Sequence, residues 1–379
     1  MKFIFVVSDF DQGGITSSLI NLTNKLIEKG HTIHILNLPN YESLPSNFNQ
    51  NIKLIMLDKK AKLFNIHITD FKNAKGLKKI KYLYLGIWKK IFGSRWNKIC
   101  FSKMKFDDDY DAAIGFRQGP TNYYIAKYVI PSKYSIGFNH CDGISDGDTS
   151  RWDKCHRYMD KIIAVSNAAR DNLLLKYPYL QNKIYTVYNI VKEQEKNNVK
   201  KNTKCLNSFN IVTVGRIDLQ NQKRQDRIIE IALMLKSDGI NFMWTIVGGG
   251  PDLPSLKKLI NDKDLNNVIE CTGSKDNPYP FMKSADLFVS TSVWESYGMV
   301  ISESLMLHIP VVAGFYPALP EVLDSKYGIL TENTVDGIYH AVKKMIVDKR
   351  FYETVKSNCM KYNYDSDLPY QQFMELFND

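Results

Sequence analysis

Residues Phe3-Ile4-Phe5-Val6-Val7 form an unbroken apolar run that stops at Asp9. A turn carrying Gly13-Gly14 follows, then Ile15, Leu19, Leu22, Leu26 and Ile27 at helical spacing. Gly30 stands where a helix C-cap belongs, and Thr32–Leu36 is a second apolar run. Apolar runs without alternation suit strands buried on both faces, as in parallel sheets. Strand, helix and strand in this order predict a βαβ unit, and so an α/β fold with a parallel sheet.

The pattern continues with strands expected at Lys53–Leu57, Ala112–Gly115, Tyr134–Phe138, Lys161–Val165 and Ile184–Val187. Residues Lys192–Ser208 are rich in Lys, Asn and Glu, which reads as a linker. The pattern then restarts with strands at Asn210–Val214, Met243–Val247, Val268–Cys271, Leu287–Ser290 and Pro310–Ala313. Two α/β domains are therefore expected, 1–195 and 205–358, which 379 residues at 44% hydrophobic content can supply with a core each. The stretch Tyr352–Asp379 reads as helical. With two such sheets, the natural ligand site is a cleft between them, beyond the carboxyl ends of the strands.

The net charge of +10 is unevenly spread: Lys59 to Lys105 holds 14 Lys or Arg against one acid, Asp70. Within residues 72–98, Leu77, Ile80, Tyr84, Ile87, Trp88 and Ile91 share one helical face, and Lys75, Lys78, Lys79, Lys89 and Lys90 the other. A basic amphipathic helix of this type rests on an anionic membrane, so Lys72–Lys105 is expected to dock there. The alternative is that its apolar face packs on the first domain. There is no nucleic-acid motif, and no nucleic-acid partner is expected. No long apolar run or leader pattern is present, and the six scattered cysteines form no Cys-x-x-Cys pair. The expected location is the cytoplasm, on the inner face of the membrane.

Four motifs in the second half carry chemistry. Arg216 directly follows a strand in Val214-Gly215-Arg216, and Lys223 comes seven residues later. Two cations at that sheet edge suit a diphosphate. Gly248-Gly249-Gly250-Pro251 permits close backbone approach. Glu295 and Glu303 bracket Ser296-Tyr297-Gly298-Met299, where a helix start can offer N–H groups to phosphate oxygens. A carboxylate such as Glu303 suits a ribose diol, because it only accepts hydrogen bonds. The fourth is Pro310-Val311-Val312-Ala313-Gly314. In isolation each also has a plain reading, as surface charge, turn or helix cap.

Taken together and in this order, the motifs resemble glycosyltransferase family 4, of the bacterial polysaccharide and lipopolysaccharide-biosynthesis kind. The matching residues are Gly215, Arg216 and Lys223, then Gly248, Gly250 and Pro251, then Glu295 and Glu303. The resemblance spans residues 209–330 and extends to Gly13, Gly14 and the region of His140. It implies the GT-B fold, in which two Rossmann-like domains face a central cleft and a C-terminal helix, here about 360–379, returns to the first domain.

The resemblance further implies a retaining transfer of a hexose or N-acetylhexosamine from a nucleotide diphosphate-sugar, UDP favoured, to a glycan, lipid-linked if the basic helix docks. Arg216, Lys223, Glu295 and His140 would be catalytic. Gly13, Gly14, Gly215, Gly248, Gly250, Ser296, Tyr297, Gly298, Met299 and Glu303 would bind the donor. Neither metal nor cofactor is expected, because Arg216 and Lys223 supply the positive charge. As metal motifs the Asp-x-Asp matches at Asp9–Asp11 and Asp146–Asp148 read as chance, and Asp9–Asp11, beside the glycine loop, is expected to contact the acceptor instead. Ser296-Tyr297-Gly298 replaces the family's Gly-Phe-Gly, and Leu307-His308 stands where a small residue and Gly are usual, which bears on sugar specificity. A nucleotide-sugar epimerase and a non-catalytic membrane protein of the same fold are the alternatives.

Overall fold

A computed structural model describes residues 1–10, 13–38, 43–58, 61, 75–92, 95–102, 104–106, 108–141, 155–192 and 208–378. The chain divides into two compact units, Met1–Ile190 with Asp367–Asp379, and Val191–Ser366. Most of the stretch expected as a linker, 193–207, lies outside the described residues, as do Asp11, Asp146 and Asp148.

The first unit is built on seven strands: β1 (Lys2–Val7), β2 (Thr32–Asn37), β3 (Lys53–Met56), β4 (Tyr110–Gly115), β5 (Ser132–Asn139), β6 (Lys161–Ala164) and β7 (Ile184–Thr186). Their order is β3-β2-β1-β4-β5-β6-β7, and every pairing is parallel. Phe3, Ile4, Phe5 and Val6 of the central β1 are wholly buried, as their unbroken apolar run requires. The helices are α1 (Gly14–Glu28), α2 (Leu77–Phe92), α3 (Arg95–Phe101), α4 (Pro120–Tyr128) and α5 (Asn167–Lys176). Within the basic stretch helix is described over 77–92 and 95–101, and residues 72–74, 93 and 94 are outside the described part.

The second unit holds β8 (Phe209–Val214), β9 (Phe242–Val247), β10 (Ile269–Gly273), β11 (Leu287–Ser290), β12 (Val311–Gly314) and β13 (Gly328–Thr331). Their order is β10-β9-β8-β11-β12-β13, again parallel throughout. The edge strand β13 has no counterpart in the sequence reading. It is four residues long and opens on Gly328, where a Cβ would overlap the Val311 carbonyl. The helices are α6 (Asp226–Ser237), α7 (Leu253–Asp262), α8 (Tyr279–Lys283), α9 (Met299–Met306), α10 (Leu319–Val322), α11 (Val335–Val347) and α12 (Lys349–Met360).

The chain end is not one continuous helix. After α12 the backbone leaves helical geometry until α13 (Asp367–Glu375). In between, the Tyr362 ring packs edge-on against Tyr327 at 5.1 Å, and Tyr364 Oη accepts the Val191 N–H at 3.0 Å. Helix α13 then docks on the first unit. Phe373 is wholly buried and meets Phe3 edge-on at 5.5 Å, and the Tyr188 N–H donates to Gln372 at 3.0 Å. Lys161, buried between Tyr134 and Tyr185, donates to the Leu376 carbonyl. Burying Phe373 and Leu376 contributes about 1.5–3 kcal/mol each.

Candidate active site

In each sheet the strand order reverses once, between β1 and β4 in the first unit and between β8 and β11 in the second. The crevice beyond the carboxyl ends of such a strand pair is where open α/β sheets bind ligands. In the second unit the reversal selects the loop after β8, with Gly215 and Arg216, and the loop after β11, with Glu295.

The glycines of that crevice let chain approach chain. The Gly215 N–H donates to the Val247 carbonyl at 3.0 Å, and the Ile217 N–H to the Gly249 carbonyl at 2.8 Å. The loops after β8 and β9 therefore continue the strand ladder. A Cβ on Gly248 would overlap the Gly215 carbonyl, and one on Gly250 the Ile217 carbonyl. At Gly248 and Gly250 the neighbouring loop makes such a close approach.

Lys223 and Glu295 form an ion pair, both largely buried. Ser292 Oγ donates to Glu295 Oε1 at 2.8 Å, and Gln222 Nε2 to Oε2 at 3.0 Å. Thr291 Oγ1 donates to the Lys223 carbonyl at 2.8 Å, and the Val293 N–H to the Gln222 carbonyl at 2.9 Å, so the two loops are tied together. Asn333 buttresses them through the Ser292 and Phe315 carbonyls, both at 3.0 Å. Arg216 stays outside this network. Its guanidinium reaches Asp218 at 3.1 Å and its side chain is 62% exposed, leaving it free to meet an anion. Gln222, Ser292 and Asn333 were missed in the sequence, because polar residues in loops carry no period to mark them.

Helix α9 starts at Gly298, whose φ of +89° is the left-handed conformation that glycine adopts without strain. A Cβ there would stand 2.5 Å from the Tyr316 hydroxyl. Tyr297 and Met299 are buried, so only their backbone can serve a ligand, and Ser296 is half-buried. The first-turn N–H groups of a helix have no partner within it and favour anions. One turn on, Glu303 accepts a hydrogen bond from Tyr279 Oη at 3.2 Å. Burial pushes its carboxyl up to about 7, opposed by the Tyr279 hydrogen bond.

In the first unit, Gly13 precedes α1 with open space where a side chain would be, and Gly14 begins the helix. His140 lies just past β5. Its ring stacks on Phe138 at 5.3 Å and tilts against Phe116 at 4.7 Å, and Nε2 meets the Phe116 carbonyl at 2.8 Å. A carbonyl only accepts, so Nε2 carries the proton. Burial pulls its pKa down to about 4, against the opposing pull of that hydrogen bond, so the ring is neutral near pH 7. Gln118 accepts the His140 N–H at 2.8 Å, and Arg117 pairs with Asp9. Arg117 and Gln118 sit past β4 at the strand reversal, a position that the sequence does not flag. Thus Gly13, Gly14 and His140 belong to one unit, and all the other expected site residues belong to the other.

A model of the family described as glycosyl transferases group 1 matches residues 194–362, less than half of the chain. The poly(ribitol-phosphate) alpha-N-acetylglucosaminyltransferase of Staphylococcus aureus is 26% identical over 316 residues, covering 78% of this chain and 61% of that one. The chain spans 40% to 61% of the length of the curated relatives it matches. Among solved structures, WaaG, a glycosyltransferase involved in lipopolysaccharide biosynthesis, matches over 100% of both chains, with a TM-score of 0.70 at 14% identity. The fold is GT-B. HepE of Anabaena, in complex with UDP and glucose, matches over 99% of this chain and 98% of its own, with a TM-score of 0.70 at 17% identity. Both likenesses are of fold. In this GT-B chain the Lys223–Glu295 network lies within the family-matched segment, and the His140 cluster lies before it.

Proposed function

We propose that this GT-B protein is a retaining glycosyltransferase of family 4, moving a hexose or N-acetylhexosamine from a UDP-sugar to a glycan in cell-surface polysaccharide biosynthesis. The observation that carries the reading is the convergence of Arg216, Lys223, Glu295 and the α9 N-terminus on one strand reversal. The UDP and glucose bound by HepE and the N-acetylglucosaminyl transfer named for the Staphylococcus aureus relative support the donor class, and the lipopolysaccharide role of WaaG supports the acceptor class.

Arg216, Lys223 and the first N–H groups of α9 stabilise charge on the departing diphosphate, where oriented donors act most strongly. The acceptor hydroxyl enters on the face the diphosphate leaves, and a phosphate oxygen takes its proton. Glu295 holds sugar hydroxyls and Glu303 the ribose. The two cations take the place of a metal. Neutral His140 serves by position, not as an acid.

The acceptor is lipid-linked and the enzyme works at an anionic bilayer. Helix α2 supports this half of the reading. Leu77, Ile80, Tyr84, Ile87 and Ile91 form one stripe, and each is more than half exposed. Leu85 is buried and Trp88 packs partly against the core, which attaches the helix while its stripe faces outward. Lys75, Lys79, Lys81 and Lys90 are exposed around it. Of the two readings of the basic helix, this arrangement favours the membrane.

The test is thermal melting with UDP, GDP, ADP and CMP in EDTA, on the native protein and on Arg216→Ala. A ligand bound only by the folded state raises Tm. The expected result is a rise with UDP that EDTA does not diminish and that Arg216→Ala loses. No rise with any nucleotide would favour a non-catalytic protein. Release of an altered sugar nucleotide without acceptor would favour an epimerase.

A further inference from the structure

Tyr279 opens α8 between Pro278 and Pro280, and its own N–H is held by Asn277 Oδ1 at 3.0 Å. Two flanking prolines restrict the backbone before any ligand arrives, so the ring is presented on a rigid turn. Its hydroxyl crosses from α8 to α9 and donates to Glu303 Oε1 at 3.2 Å. Both side chains are half-buried, and among the described residues Glu303 Oε2 has no partner of its own.

A phenol has one proton to donate. Spent on Oε1, it leaves the Tyr279 oxygen with lone pairs only, beside a carboxyl group that in its ionised form likewise only accepts. Two acceptors side by side on rigid supports match a ligand edge with two neighbouring hydroxyl donors. A group with a single hydroxyl leaves one acceptor unmet, and a buried site penalises an unmet polar group.

We propose that Tyr279 completes the ribose subsite already given to Glu303 and is the residue that sets discrimination between ribose and deoxyribose. This rests on the proposed nucleotide-sugar function. Tyr279 acts by accepting one hydroxyl and by fixing the orientation of the carboxylate that accepts the other.

The experiment is titration calorimetry of UDP and 2′-deoxy-UDP on the native protein, Tyr279→Phe and Glu303→Gln, with Tm checked for each. The native protein is expected to prefer UDP by about tenfold or more, the worth of one hydrogen bond to a buried acceptor. Tyr279→Phe keeps the ring, so its melting is expected to match. Its UDP affinity should fall about tenfold, its preference should shrink to within about twofold, and in turnover KM should rise with kcat held. A Tyr279→Phe protein that binds UDP with the native preference would overturn the assignment while leaving the nucleotide-sugar reading intact. A native protein that binds neither nucleotide would overturn that reading and this one with it.

Discussion

Lys223 and Glu295, 72 positions apart, hold each other in a pair that Ser292 and Gln222 complete. The cation proposed for the diphosphate and the carboxylate proposed for the sugar are therefore engaged with one another. Glu295 offsets part of the positive charge that Lys223 would offer a diphosphate.

Replacing Glu295 with Gln removes that opposing charge. UDP affinity is expected to hold or tighten a few-fold, while sugar transfer falls by about a hundredfold or more, as when an oriented polar group at a reacting centre is lost. Calorimetry with UDP beside product analysis with UDP-sugar separates the two. A fall in UDP affinity equal to the fall in turnover would instead mean that Glu295 serves diphosphate binding by holding Lys223 in place.

His140 gives the first unit a pH dependence with a definite sign. Its folded pKa of about 4 lies below its ordinary value of 6.5, so between them the unfolded chain binds the extra proton. The neutral ring's contribution is complete above 6.5 and is lost as pH falls toward 4. Going from pH 7 to pH 5 costs about 2 kcal/mol through this residue. Burial also lowers His31 and His34, so the comparison is with His140→Gln. Urea unfolding at both pH values is expected to show the variant losing less stability on acidification. An identical acid loss in the variant would mean that the ring is not shielded as described.

The outward stripe of α2 makes the third case. Ile80→Glu with Ile87→Glu places two charges where apolar side chains now stand exposed, so folding is expected to be unaffected. Co-sedimentation with vesicles of anionic lipid should fall about tenfold or more, since two apolar contacts are lost and like charge is added. Neutralising Lys75 and Lys79 should weaken binding in a salt-dependent way. Vesicle binding untouched by both changes would show that this helix faces something other than a bilayer.

How much of this was legible in the sequence follows from the range of the forces involved. Strands β1, β8 and β11 were legible because burial on both faces demands an unbroken apolar run. Helix α9 was legible because Gly298 and the apolar period after it are local signals. Arg216, Glu295 and Glu303 could be picked out because motif spacing runs along the chain.

The tertiary structure alone decided what those residues touch. β13 was invisible because four edge residues opening on a glycine carry no pattern. The break at 361–366 depends on Tyr362 and Tyr364 finding partners at Tyr327 and Val191. Lys223 meeting Glu295, Tyr279 meeting Glu303 and Lys161 reaching the Leu376 carbonyl join residues 72, 24 and 215 positions apart. Hydrogen bonds and ion pairs act over a few ångströms in space with no regard for distance along the chain. Only the packing within each unit could bring those partners together.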